Sequence, residues 1–179
     1  MTTESALRFP LGKFAPPAEI SDSQRAAWIG DIAQLPADLS AVVAPLDEVW
    51  LERAYRPGGW TVHQVVQHLA DSHTNSYVRF KWALTEEQPT IKAYDEKAWA
   101  ECADRGALPV TATLAYLSAL HERWVALLSR MSTDDWRRGF IHPDSGPITL
   151  DVNLGLYAWH GRHHLAHITS LLEREAPPA

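Results

Sequence analysis

The stretch Tyr157-Ala158-Trp159-His160-Gly161-Arg162-His163-His164-Leu165-Ala166-His167-Ile168 decides how this chain folds. At about 100° per residue, a helix through it sets His160, His164 and His167 on one stripe with Asn153, Leu156, Tyr157, Ile168 and Leu171. That stripe is aliphatic, turns to imidazole for two turns, and becomes aliphatic again. His163 falls to one side of it. Apolar residues at this spacing mark the face a helix turns toward its neighbours, so the imidazoles go inward with them. Burying several imidazoles costs free energy unless each ring nitrogen finds a partner. A lone histidine on such a face is usually satisfied within a core, but three ask for more. A metal ion supplies the partner, and the i,i+4 spacing of His160 and His164 sets two rings over one point.

Working outward, Thr149 or Asp151 caps this last helix, which runs to about Glu173. Thr61 caps another that reaches about Glu86, with Val62, Val65, Val66, Leu69, Ser76, Tyr77, Phe80 and Leu84 at helical spacing. Arg56-Pro57-Gly58-Gly59 breaks the chain before it and Pro89 ends it. Thr111 or Thr113 caps a third, carrying Leu114, Leu117, Leu120, Trp124, Leu128 and Met131. Ser21 or Ser23 starts the first near Asp22, with Ala27, Trp28, Ile32 and Leu35 in register. Pro36 suits the first turn of a continuation bearing Leu39, Val42 and Val43. Short helical pieces are expected over 46–53, 95–103 and 132–136. The first 20 residues, with Pro10, Pro16 and Pro17, read as an extended arm. Residues 139–149 read as a loop able to close a small hairpin at Ser145-Gly146. No two-residue period is strong enough for a larger sheet. Four long helices with modest connections predict an all-α, antiparallel four-helix bundle with short extra helices, one domain over residues 1–179.

Composition narrows the function. The 179 residues are 46% hydrophobic and 21% charged, ordinary for a globular protein. A formal charge of −6, with its 16 Lys and Arg scattered, argues against a nucleic-acid partner. No run approaches the length of a membrane span. The start of the chain, with no cationic segment leading into an apolar run, predicts no secretion signal and hence a cytoplasmic protein. Cys102 is the single cysteine, which excludes an internal disulfide and a cysteine-based zinc site. Nine His and eight Trp are the surplus. The tryptophans read mostly as core, Trp28, Trp82 and Trp124 sitting within helical patterns.

Two imidazoles from one helix need a third ligand from elsewhere. His63, His68, His73, His121 and His142 are the candidates. Periodicity favours His73, near the centre of its helix's stripe, over His68 at the side; spacing alone leaves the choice open.

The strings over residues 58–81 (GGWTVHQVVQHLADSHTNSYVRFK), 94–99 (YDEKAW), 142–144 (HPD) and 157–168 closely resemble the YfiT group of the DinB superfamily. The likeness runs from Arg8-Phe9-Pro10 to about residue 170. It implies a four-helix bundle holding one divalent metal through three histidines, which fall here on His68, His160 and His164. Three neutral imidazoles with an open position suit catalysis, and zinc or nickel suits an all-imidazole set. Such a metal can activate water for hydrolysis of a small molecule. The resemblance also reaches transferases that activate a low-molecular-weight thiol such as bacillithiol, and it implies a homodimer. A metal-binding protein without enzymatic activity is the remaining alternative. Asp71 and His167 are the candidate bases. His167 can instead steady a ligand from behind, and Asp71 with Asn75 can form a solvated face. Arg79 and Arg162 can cup an acidic thiol. Arg79, Tyr94, Asp95 and Trp99 can line a pocket.

Overall fold

In the computed structural model, which describes residues 3–175, four long helices follow the pattern of caps and apolar stripes. Ser21 accepts a hydrogen bond from the Gln24 amide (3.1 Å) and opens α2 (Asp22–Val43), which follows a short α1 (Thr3–Arg8). After α3 (Glu48–Leu51), Thr61 and Gln64 cap one another reciprocally at the head of α4 (Val62–Thr85). Residues 86–109 carry α5 (Glu96–Trp99) and lead to α6 (Val110–Leu128). Pro109, not a threonine, precedes α6, so Thr111 and Thr113 lie inside it. Then come α7 (Thr133–Arg137), a hairpin of β1 (Gly139–His142) and β2 (Gly146–Thr149), and α8 (Leu150–Glu175). The hairpin pairs Phe140 with Ile148 and turns through Gly146 at φ +75°, a conformation glycine adopts without strain.

The all-α four-helix bundle is as expected, but its helices are not antiparallel throughout. Around its axis α2 packs on α6 and α8, and α4 packs on the same two. Two apolar clusters fill it. Leu35, Leu39 and Val43 meet Val62–Ala70, Val110–Leu120, Ile168 and Leu171 in one. Trp28 and Ile32 meet Phe80, Ala83, Trp124, Leu128 and Leu150–Ala158 in the other. Reading along each helix, α4 and α6 run from the first cluster to the second, while α2 and α8 run back. Each long helix therefore has one antiparallel and one parallel neighbour, and residues 86–109 form the crossover that returns the chain along α4.

Several local expectations change. Residues 3–8 are helical where an extended arm was expected, and α5 and α3 are shorter than their sequence patterns. Pro36 lies inside an unbroken α2 rather than at the start of a new helix. Trp28 and Trp124 are core, but Trp82 is 40% exposed, because its position on α4 faces away from both partner helices. Gly155 and Gly161 let α2 come close to α8: a Cβ at Gly155 would stand 2.7 Å from the Trp28 ring, and one at Gly161 2.4 Å from Leu35 Cδ2.

Candidate metal centre

Between the two apolar clusters lies a layer of imidazoles. Nε2 of His68 on α4 stands 3.1 Å from Nε2 of His160 on α8. One ring nitrogen from each of His68, His160 and His164 lies within 4.8 Å of the others. His68 and His164 are buried, and His160 is partly exposed. Burial drives their basicity down first: His68 falls to about 4, and His160 and His164 fall well below 6.5, where neighbouring imidazoles add to the effect. All three rings are thus neutral at pH 7 and keep a lone pair to offer.

The hydrogen bonds behind them determine which lone pair. Pro36 has no amide N–H, so the Ile32 carbonyl one turn back loses its helical donor. His121 Nδ1 lies 2.6 Å from that oxygen. A carbonyl only accepts, so His121 Nδ1 carries the proton and its Nε2 is bare. His73 Nδ1, 2.8 Å from that Nε2, must then donate, which leaves His73 Nε2 bare. His160 Nδ1 donates to it across 3.2 Å, and the His160 lone pair is left on Nε2, facing His68. A second chain does the same for His164. The Arg8 carbonyl at the end of α1 accepts from His167 Nε2 (3.1 Å), and His167 Nδ1 accepts from His164 Nδ1 (3.3 Å). His164 also keeps its lone pair on Nε2.

These donors fit a divalent cation. Two imidazole nitrogens bonded to one ion at about 2.0–2.1 Å stand roughly 3–3.5 Å apart, and the His68–His160 pair does so at 3.1 Å. The group contains no carboxylate and no thiolate. His73, favoured by periodicity, is buried but stands behind His160 as a link to His121.

Two cavities meet at His160. One, of ≈ 680 Å³, is lined by Arg8, Phe9, Tyr55, Trp60 and Trp159 around the three imidazoles. Trp60 packs against the His68 ring at 4.6 Å and Tyr55 stacks on His167 at 4.0 Å. The other, of ≈ 300 Å³, holds Ser72, Arg79, Tyr94, His142 and Tyr157. Burial pushes the Tyr94 phenol well above its usual range, so it remains a donor.

The remaining sequence candidates separate. Asp71 is pushed up to about 6, by burial and then by Asp104, but it lies in a different depression with Gln67, Trp99 and Tyr116. Asn75 bonds back to the Asp71 carbonyl (2.9 Å). His167 has both nitrogens engaged. Arg162 is exposed and pairs with Asp31 at 3.3 Å. Asp95 caps α5, and Trp99 is 43% exposed against Tyr94. Sequence reasoning missed the roles of Trp60, of the Arg8 carbonyl, and of His163, which lies off the stripe yet is buried and stacked on Trp159 at 4.5 Å. Only the clustering of aromatic residues before Thr61 hinted at the first of these.

A helical bundle that converges three neutral imidazoles from two helices beside open cavities defines a class of proteins equipped to hold a divalent cation. Residues 31–168 match the DinB superfamily, and the chain belongs to it. It is 50% identical over 168 residues to a protein of Oceanobacillus iheyensis named "Putative metal-dependent hydrolase", covering 94% of this chain and 97% of that one. A Bacillus cereus protein of the same name is 51% identical over 168 residues, 94% and 96% of the two chains. Among solved structures, YfiT from Bacillus subtilis, described as a probable metal-dependent hydrolase with an unusual four-helix bundle topology, superposes with a TM-score of 0.92 at 49% identity, over 94% and 97% of the chains. The four-helix bundle protein TT2238 shares the fold, with a TM-score of 0.56 at 19% identity over 82% and 98%.

Proposed function

We propose that this protein is a metal-dependent hydrolase of a small molecule, with His68, His160 and His164 holding one divalent cation, zinc or nickel. The observation that carries the reading is the convergence of three neutral imidazoles, two buried and one partly exposed, within 4.8 Å beside two open cavities. The names of relatives at 50% identity support it. A divalent cation held by three imidazoles supplies Lewis acidity, which polarises a substrate carbonyl and lowers the pKa of water at its open position.

The chain's own residues prepare that site. His121 and His73 hold His160 with its Nε2 lone pair inward, and His167 does the same for His164. Trp60, Tyr55 and Trp159 shield the ring edges from bulk water, which strengthens every electrostatic interaction inside. Tyr94 and Tyr157 present hydroxyls to a substrate in the smaller cavity, with Ser72 donating to Tyr157 at 3.3 Å. Asp71 stands in a separate depression and takes no part in proton transfer.

Thiol S-transfer is a second reading: Arg8, Arg56 and Lys97 in the larger cavity's lining outnumber Glu96 and Glu101 by one charge and can take a thiol's carboxylate.

Metal analysis of protein purified without a histidine tag tests the centre. About one zinc or nickel per chain is expected, lost in His160→Ala and His164→Ala. Unchanged metal content in both variants would refute it. Ester and amide turnover by the loaded protein favours hydrolysis, and thiol binding without turnover favours transfer. Stoichiometric metal with neither response means a metal-binding protein that is not an enzyme.

A further inference from the structure

Arg79 occupies an unusual position for a guanidinium. It is 7% exposed, and among the described residues it makes no hydrogen bond and no ion pair. Its Nε has no partner, and the Phe140 ring lies 6.0 Å from the guanidinium carbon. A guanidinium does not relieve burial by losing its proton. Lodging it unpaired in the protein is costly unless something brings the opposite charge. It lines the ≈ 300 Å³ cavity whose other walls include His160 and the hydroxyls of Ser72, Tyr94 and Tyr157.

We propose that this cavity binds a carboxylate borne by the substrate, with Arg79 as its counter-ion and the neighbouring hydroxyls as further donors. The proposal rests on the metal-centre reading only for what happens at the substrate's other end. The planar fork of a guanidinium matches a carboxylate bidentately. Glu96 and Asp144 also line the cavity without forming an ion pair with Arg79, and their charge repels a doubly charged phosphate more strongly than a singly charged carboxylate. Arg79 follows His68 by three turns of α4, roughly 16 Å of helix axis. Arg79 and His160 line the same cavity, so the carboxylate serves as a handle whose binding energy orients the bond presented at His160.

The test uses the full chain, both metal-free and zinc-loaded, and the probes butyrate and hexanoate with their matched amides and methyl phosphate. The readout is calorimetric titration for every variant, with the Arg79 Nε–H resonance followed as well in the unsubstituted chain. Saturable shifts are expected with the carboxylates in both forms, with the amides about ten-fold weaker. Arg79→Met weakens carboxylate binding about ten-fold, and Arg79→Lys retains most of it. Arg79→Met melts at the same or a higher temperature, because an unpaired buried charge does not hold the fold together. Amides binding as well as carboxylates, an unchanged affinity in Arg79→Met, or methyl phosphate binding more tightly than either acid would each overturn the proposal. So would an Arg79→Met variant that melts several degrees lower. His164→Ala separates the two ideas: metal retained there defeats the metal centre, while carboxylate binding lost in the metal-free wild type defeats this one.

Discussion

Nδ1 of His121 lies 2.6 Å from the carbonyl oxygen of Ile32, on the neighbouring helix α2. The oxygen is available because Pro36 has no proton to give it. From this contact the proton positions on His121, His73 and His160 follow in turn, ending with a lone pair on His160 Nε2. His121→Leu removes the acceptor for His73 and lets His160 exchange tautomers. Metal affinity is expected to fall about 10- to 100-fold although no proposed ligand changes. Nitrogen shifts of the imidazoles read the tautomers directly in the metal-free protein. Pro36→Ala, which gives Ile32 a competing helical donor, is expected to act in the same direction but less.

The second chain ends outside the bundle, on the Arg8 carbonyl. Deleting residues 1–9 leaves the four long helices but frees His167 Nε2, so His164 loses its fixed tautomer. A loss of metal affinity, with helicity by circular dichroism preserved, is the expected result of a competition assay. Full affinity in the truncated protein would show that solvent replaces the carbonyl adequately.

Close approach of α2 and α8 depends on Gly155. Gly155→Ala directs a Cβ into the Trp28 ring, whose nearest atoms would lie at 2.7, 2.9 and 2.9 Å. A rigid indole yields less than a leucine tip, so the helices must separate. Overpacking of this kind costs about 1–3 kcal/mol, only partly offset by alanine's better helix propensity of about 1 kcal/mol. Urea unfolding of the metal-free protein should show the midpoint fall.

Acid should weaken the metal-free fold. His68, His121, His163 and His167 are pushed to about 4 by burial, and His73, His160 and His164 lie well below 6.5. Between the folded values and 6.5 the unfolded chain binds more protons, so stability is full above 6.5 and declines as pH falls toward 4. Asp71, pushed up to about 6 from 3.8, and Asp31, also raised by burial, work in the opposite direction but are two groups against seven. Urea midpoints at pH 7.5, 6 and 5 measure the trend, and a flat profile would contradict the burial of these rings.

The bundle and two of the three proposed ligands were legible in the sequence because both are local. Caps and apolar spacing mark α2 and α4, apolar spacing marks α8, and the i,i+4 pair His160 and His164 lies within a single helix. The third imidazole was not legible from periodicity. His73 sits at the centre of the α4 stripe, but which helix a stripe faces is set by packing, and His73 meets His121 on α6 while His68 meets α8. The resemblance identified His68 where spacing did not. The helicity of residues 3–8, the exposure of Trp82 and the pairing of Pro36 with His121 depend on contacts between distant segments, which no local pattern encodes.

Residues 86–109 and the 139–149 hairpin supply Tyr94, Glu96, His142 and Asp144 to the smaller cavity, while the imidazoles and the atoms that orient them come from the helices and the first nine residues. Apart from Arg79 and Ser72 on α4 and Tyr157 on α8, the parts that would choose a ligand thus lie outside the helices that would hold the ion. Selectivity can drift, or be redesigned, by exchanging two surface segments, as a lens is changed on a camera whose shutter stays in place.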